Sequence, residues 1–134
     1  MGWPQLNHAR MPVVLKEIPP LPPGWLKVSE HRERWECLRR EAQEEARRLA
    51  RILVDEYGAL RVWLIGSTAG VWIFHEYSDV DIVVEGLDDR TFTRAWTRVP
   101  DLSRFRIDLR PRDELSDERW ARLIPRPVLL AERP

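Results

Sequence analysis

Cysteine and lysine are almost absent from this sequence. Cys37 is the only cysteine, so the chain cannot form an internal disulfide, and no group of cysteines and histidines has the spacing of a zinc site. Lysine occurs only at Lys16 and Lys27, and arginine supplies nearly all of the positive charge, which we interpret as a bias of the genome. These shortages exclude a disulfide framework and a zinc-centred fold.

Long apolar runs are also missing. No run approaches the length of about 18 residues that a membrane span needs, and the N-terminus shows no signal peptide. The 22 basic and 22 acidic residues balance, which argues against an acidic tail or a general coat for nucleic acid. We therefore expect a cytoplasmic protein that binds neither a membrane nor, directly, a nucleic acid.

The chain holds enough apolar residues for one folded domain. It has 134 residues, of which 43% are hydrophobic and seven are tryptophan. Six of the eleven prolines precede residue 24, and such a segment cannot enter a helix or a central strand. We predict an extended proline-rich arm at residues 1–28 and a domain at residues 29–134; the alternative use of the arm is to dock on a partner.

Hydrophobic spacing predicts alternating helices and strands. A long helix capped by Ser29 is predicted to run to about Tyr57, with ion pairs four residues apart between Glu36 and Arg40 and between Glu44 and Arg48. Its predicted buried stripe is Trp35, Leu38, Ala42, Ala46, Leu49, Leu53 and Tyr57. Strands are predicted at residues 60–65, 79–85, 104–110 and 128–131, and shorter helices at 67–75, 90–99 and 116–124. This order is typical of an α/β (α+β) protein.

An acidic pair opens the second predicted strand. Asp79 and Asp81 are two residues apart, so a strand directs both carboxylates to one face, while Val80, Ile82 and Val84 take the other. Like charges side by side repel, which favours a divalent cation with oxygen ligands between them. The alternative is a surface turn whose carboxylates pair with nearby arginines.

Two further features extend this hypothesis. Gly66 and Ser67 end the first predicted strand, where a glycine lets the backbone approach a ligand and a helix start favours phosphate. Asp108 lies on the polar face of the third strand, so three carboxylates converge if the second and third strands are neighbours. Three carboxylates with two magnesium ions suit in-line phosphoryl or nucleotidyl transfer. Arg106 and Arg110 share that face, either to compensate charge or to contact phosphate or the acceptor.

Together these motifs resemble the signature of the DNA polymerase beta-type nucleotidyltransferases. The matching residues are Gly66-Ser67, then Ser78-Asp79-Val80-Asp81 with the apolar strand that follows, then Ile107-Asp108-Leu109. The short chain, with one long helix ahead of its first strand, is most similar to the minimal nucleotidyltransferases. The resemblance covers about residues 30–131 and implies a small mixed β-sheet flanked by helices.

The resemblance also implies a role for each motif residue. The expected nucleotide-binding residues are Gly66, Ser67 and Ser78. The expected catalytic residues, which are also the ligands of two Mg²⁺ ions, are Asp79, Asp81 and Asp108. In addition, Asp108 would help to deprotonate the acceptor hydroxyl, and ATP would be the nucleotide donor.

The implied reaction is transfer of AMP from ATP to a hydroxyl of a HEPN-type helical toxin, for which this chain would be the antitoxin. Because little sequence follows Asp108, we expect the acceptor on a partner protein or at a site shared between subunits. One alternative is a nucleotide-binding interaction protein that masks its partner without chemistry. A sugar-nucleotide glycosyltransferase is a second, although the chain is short for that architecture.

Two features depart from the family pattern. Many members carry an arginine soon after the serine, where this chain has Thr68, Ala69 and Gly70, and Arg61 or Arg106 is the candidate replacement. The segment 71–74 is unusually apolar for this loop. We predict that it belongs to the core, and the alternative is a contact for a partner.

Overall fold

The computed structural model of the chain describes residues 28–70, 74–76, 78–123 and 127–134. All but the last residue of the predicted proline-rich arm lies outside these ranges, as do residues 71–73 and the predicted helix end at Pro125. None of the helices in the described ranges combines the length and the apolar composition of a membrane span.

Helices and strands follow one another in the predicted order. They are α1 (Val28–Asp55), β1 (Arg61–Ile65), a 3₁₀ turn (Gly66–Ala69), β2 (Val80–Glu85), α2 (Asp89–Arg98), a 3₁₀ turn (Val99–Leu102), β3 (Ile107–Pro111), a 3₁₀ turn (Arg112–Glu114), α3 (Asp117–Leu123) and β4 (Val128–Glu132). At the start of the predicted helix 67–75 the chain forms the first 3₁₀ turn, which ends at left-handed Gly70, and residues 71–73 of that prediction lie outside the described ranges. Ser29 lies inside α1 and not at its cap. Ser116 does cap α3, because its hydroxyl accepts a hydrogen bond from the Arg119 backbone N–H at 3.1 Å.

The four strands form one mixed sheet in the order β3-β2-β1-β4. Strand β1 is antiparallel to both β2 and β4, and β2 is parallel to β3. The parallel pair requires a crossover, which α2 and the turn after it supply. The small mixed sheet is confirmed, and so is the prediction of β4 as an edge strand.

The core lies between α1 and one face of the sheet. The predicted stripe is buried along the centre of α1, at Ala42, Ala46, Leu49 and Leu53, and Leu38 and Tyr57, the latter beyond the end of α1, are partly buried against the core. Trp35 does not join the core, and its Nε1 donates to Glu76 at 2.9 Å. From this face of the sheet, the fully or almost fully buried side chains are Val62, Leu64, Val80, Ile82, Val84 and Leu109, while Val83 is fully buried on the other face. Since strands alternate their faces, this packing turns the side chain of Asp81 to the opposite side of the sheet.

The ion pairs on the exposed side of α1 differ from the predicted ones. The two predicted pairs four residues apart are not found among the described residues. The pairs that form are three residues apart: Glu36 with Arg39 (2.5 Å), Glu44 with Arg47 (2.6 Å) and Glu45 with Arg48 (2.6 Å). Residues three and four apart are both neighbours on a helix, so spacing alone does not choose between them.

The contact between α1 and the sheet can be tested at Ala46, which has no exposed surface. Leucine there adds atoms to a filled interface, so we expect Ala46→Leu to lower the free energy of unfolding by about 1–3 kcal/mol in urea titrations. The matched control is Arg32→Leu on the exposed side of the same helix, where a change of under about 0.5 kcal/mol is expected. Equal stability of the two variants would contradict this packing.

Candidate active site

Two of the three predicted carboxylates face each other across neighbouring strands. In the parallel pairing of β2 with β3, Asp81 lies in register with Asp108. Asp79 directly precedes β2 and adds its negative charge to Asp81. The conditional prediction that the second and third strands are neighbours is therefore confirmed, which brings Asp81 and Asp108 together and leaves Asp79 within electrostatic range of Asp81.

The electrostatics of Asp81 show that this convergence is unfavourable. The pKa of its carboxyl rises from the ordinary value of 3.8 to about 6, first because burial disfavours the charged form and then because Asp108 and Asp79 repel it. The nearby guanidinium of Arg110 opposes the shift in part. A positive charge placed beside Asp81 would therefore stabilise the ionised form of its carboxyl.

The Gly66 turn lies directly against this carboxylate. Gly66 has a φ of +77°, and a Cβ at this position would lie 2.6 Å from the Asp81 Oδ2. The contact follows from the antiparallel register of β1 and β2, in which Ile65 is opposite Asp81. A side chain larger than hydrogen at this position therefore requires the Asp81 carboxylate to shift.

Helix α1 holds the turn in place through contacts that sequence reasoning missed. Arg39 Nε donates to the Ser67 carbonyl at 3.2 Å, and Gln43 Nε2 donates to the Thr68 carbonyl at 2.9 Å. The hydroxyl of fully buried Thr68 donates in turn to the Asp79 carbonyl at 3.2 Å. The sequence signal for these contacts is that Arg39 and Gln43 are polar, four residues apart and at the border of the buried stripe of α1. These bonds connect α1, the turn and the start of β2.

Ser78 closes a short turn ahead of the acids. Its hydroxyl accepts a hydrogen bond from the His75 N–H at 3.0 Å, and its own N–H donates to the His75 carbonyl at 3.0 Å. Phe74, at the start of this segment, is almost fully buried against Phe105, with ring centroids 6.5 Å apart. The prediction that the apolar segment belongs to the core is thus confirmed for Phe74. Nucleotide binding by Ser78 stays a prediction.

Two arginines accompany the acids. Arg110 Nε donates to Asp108 Oδ2 at 2.9 Å, and Arg106 Nε lies 3.6 Å from Asp79 Oδ1. Both contacts compensate charge. Because its side chain is 76% exposed, Arg106 can also contact a ligand at the site.

Arg61 does not lie at the site. It stands at the opposite end of β1 from Gly66 and pairs with Glu85 at 3.2 Å and with Glu132 at 2.6 Å. The suggestion that Arg61 replaces the missing arginine is therefore wrong, because its strand position directs it to a different ion-pair cluster. Arg106 lies beside Asp79, and its role as the replacement stays a prediction.

The acidic residues have the oxygen donors that a hard cation binds. Asp79 Oδ1 is enclosed and accepts no hydrogen bond within the described part of the chain, and carboxylate oxygens are the donors that magnesium prefers. The described ranges contain no group of three or more His, Cys, Asp or Glu side chains already arranged as a metal centre. Arg110 holds the carboxylate of Asp108, so a third ligand requires that this ion pair open. The donor chemistry fits a divalent cation.

Comparison with known proteins finds solved structures that are similar to this chain, but no match by sequence to a family model or a curated protein. The chain is similar to the toxin–antitoxin MntA–HpeT, in a variant with two Asp-to-Glu substitutions, with a TM-score of 0.50 and 16% identity over 68% of this chain and 73% of that chain.

Two other solved structures are similar at lower scores. One is a toxin–antitoxin with AMP-PNP, with a TM-score of 0.49 and 19% identity over 68% of this chain and 73% of that chain. The other is the tri-AMPylated Shewanella oneidensis HEPN toxin in complex with MNT antitoxin, with a TM-score of 0.47 and 17% identity over 71% and 73%. The likeness to MntA–HpeT establishes the fold, which is the nucleotidyltransferase fold that the motifs predict.

The contact between Gly66 and Asp81 can be tested by adding one methyl group. Gly66→Ala places its Cβ against the carboxylate, so we expect a larger loss of unfolding free energy than from Gly70→Ala. Gly70 also has a positive φ, of +95°, but a Cβ there meets nothing within 4 Å among the described atoms. The control isolates the backbone cost of about 1 kcal/mol, and equal losses in urea unfolding would contradict the close approach.

The raised pKa of Asp81 predicts a stability that depends on pH. The folded state holds this proton up to about pH 6 and the unfolded chain only to about 3.8, so this group lowers stability as pH rises through that window. We expect Asp81→Asn to be more stable than the wild type by about 1 kcal/mol at pH 8, after allowance for solvent screening, and equally stable below pH 4.

Thermal unfolding at several pH values measures this difference. The control is Asp101→Asn, which changes the same group at an exposed position of the second 3₁₀ turn. A stability gain for Asp81→Asn that does not change with pH would rule out the electrostatic origin.

Proposed function

We propose that this chain is a magnesium-dependent nucleotidyltransferase that transfers AMP from ATP to a hydroxyl of a HEPN-type toxin and so acts as its antitoxin. The observation that carries the proposal is the register of Asp81 against Asp108, with Asp79 alongside and Gly66 in contact with Asp81. An acidic cluster of this kind is costly for a protein that only folds, which supports a role in binding a cation.

One group of residues would bind the cations and another would bind the nucleotide. Two Mg²⁺ ions are assigned to Asp79, Asp81 and Asp108, and when bound they stabilise the charge of the triphosphate and activate the acceptor hydroxyl. Gly66 lets the backbone of the turn approach the phosphates, with Ser67 and Ser78 beside it. Arg106 supplies the positive side chain that the family pattern has after the serine, because it is exposed next to Asp79.

The chemical step is an in-line displacement at phosphorus. The acceptor oxygen attacks the α-phosphorus of ATP and forms a new P–O bond, while the bond from that phosphorus to the bridging oxygen of the β-phosphate breaks. Pyrophosphate leaves with the electron pair. Once its ion pair with Arg110 has opened, Asp108 accepts the proton of the acceptor hydroxyl.

The partner class is proposed on two grounds. The motif resemblance points to the minimal nucleotidyltransferases, whose partners are helical HEPN proteins. The likeness to MntA–HpeT, a toxin–antitoxin, supports a toxin as the acceptor of this chain as well. The protein encoded by the neighbouring reading frame is therefore the substrate to test first.

The test is transfer of label from [α-³²P]ATP, with magnesium, to that neighbouring protein. We expect the wild type to label it and Asp79→Asn/Asp81→Asn to lose at least about a hundredfold of the rate, because each lost carboxylate removes cation binding worth several kcal/mol. Asp101→Asn is the control and should keep the wild-type rate. No labelling by the wild type, or equal labelling by the double variant, would contradict the proposal.

Co-expression in cells distinguishes transfer of AMP from masking of the partner by binding alone. A partner that is neutralised by binding alone stays harmless when it is co-expressed with Asp79→Asn/Asp81→Asn, whereas a partner that must be modified becomes toxic. We expect toxicity with the double variant and rescue with Asp101→Asn. Full neutralisation by the double variant would establish masking in place of transfer.

A further inference from the structure

A groove runs along α1 and ends at the candidate active site. It consists of two cavities, of about 600 and 420 Å³, that lie between α1 and the segment leading into β3 and that share Arg104 and Phe105 as lining residues. The smaller cavity is also lined by Ser78 and Arg106. Since Arg106 Nε is 3.6 Å from Asp79 Oδ1, this end of the groove adjoins the acids.

The floor of the groove is apolar and its rim is charged. Phe105 lines both cavities and Leu38 lines the smaller one, and both pack against the core from a partly buried position. The guanidinium of Arg104 lies 4.5 Å from the centre of the Phe105 ring and forms an ion pair with Glu41. An apolar side chain of a ligand would find its contacts beside this ring.

Two positive charges on the rim of the larger cavity lack ion-pair partners in the described part of the chain. Arg40 and Arg51 are both exposed, whereas Arg48 in the same cavity is paired with Glu45 at 2.6 Å. The two unpaired arginines are eleven residues apart on α1, which corresponds to about 16 Å along the helix axis. A ligand that complements Arg40 and Arg51 would carry two carboxylates separated by about the same distance as these two arginines.

The charges of the groove identify a protein as the occupant. Three glutamates line the larger cavity with the arginines, namely Glu41, Glu44 and Glu45, and each of them is paired with an arginine, so the groove lacks the continuous positive surface that a nucleic acid requires. Residues 1–27 of this chain carry Arg10, Lys16 and Lys27 against the single acid Glu17, so their net positive charge does not complement Arg40 and Arg51. A segment with carboxylates from another protein does.

We infer that this groove is the docking surface for the acceptor protein, an inference that rests on the proposed function. The docking segment places an apolar side chain on the floor of Phe105 and Leu38 and two carboxylates at Arg40 and Arg51. From there, the segment leads towards Arg106, where a hydroxyl meets Asp79 and the other acids. The groove thus joins binding of the partner to delivery of the group that is modified.

The first test reverses the two unpaired charges. The full-length variant Arg40→Glu/Arg51→Glu is titrated by calorimetry, without ATP, with the protein of the neighbouring reading frame. We expect binding at least tenfold weaker than for the wild type, and a raised KM for that protein with unchanged kcat in the labelling assay. The matched control Arg32→Glu/Arg119→Glu reverses two exposed arginines outside the groove and should bind within twofold of the wild type.

The second test uses the only thiol of the chain. Cys37 is exposed and lines the larger cavity, so a benzophenone maleimide attached there reports what occupies the groove. Irradiation of the complex should cross-link Cys37 to an acidic peptide of the partner. The control Cys37→Ser/Arg98→Cys, with its thiol on α2, should give no such product. A cross-link to residues 1–27 or to a second copy of this chain would overturn the assignment.

The outcomes separate the two proposals. If the wild type binds the neighbouring protein through the groove but transfers no label, the proposed function fails and the docking surface stands. If Arg40→Glu/Arg51→Glu binds as tightly as the wild type while transfer proceeds, the docking surface fails and the proposed function stands. A wild-type chain that neither binds nor labels that protein contradicts both.

Discussion

The parallel pairing of β2 with β3 forces two carboxylates to face each other, and the candidate site depends on this unfavourable contact. Asp81 and Asp108 cannot separate without a change of register, and a shift by one residue would turn Ile82 and Leu109 out of the core. Burial of each such side chain stabilises the fold by about 1.5–3 kcal/mol, more than the repulsion costs. Packing on one face of the sheet therefore keeps the charges together on the other.

Helix α1 contributes both to this packing and to the site. Its apolar side holds the sheet through fully buried Ala46 and Leu49, and at the edge of the same side Arg39 and Gln43 hold the carbonyls of the Gly66 turn. Because one rigid helix makes both sets of contacts, the turn and the acids keep a fixed separation. The helix is thus a positioning element for the site as well as half of the core.

Periodicity and motif spacing predicted the order of elements, the buried stripe of α1 and the face on which Asp81 lies. In β2 the acids Asp81 and Glu85 are an even number of residues apart and so share one face, although Val83 between them is buried as well. The register of Asp81 with Asp108 could be stated only as a condition, because strand neighbours depend on topology and not on local sequence. Arg61 was misplaced for the same reason, since its partner Glu132 lies 71 residues away. The hydrogen bonds from Arg39 and Gln43 lay beyond pattern reasoning, which does not resolve contacts between a helix and a distant turn.

The position of β4 has a consequence for the order of assembly. Strand β1 is central, yet one of its two neighbours is the last strand described, and the Arg61–Glu132 ion pair joins segments far apart along the chain. Closing the long loop between β1 and β4 costs conformational entropy before the contacts between the two strands can form. Strand β4 therefore joins late, and one edge of β1 stays unpaired until then. During synthesis the nascent chain therefore passes through a stage with an unpaired strand edge, at which association with other strands competes with completion of the sheet.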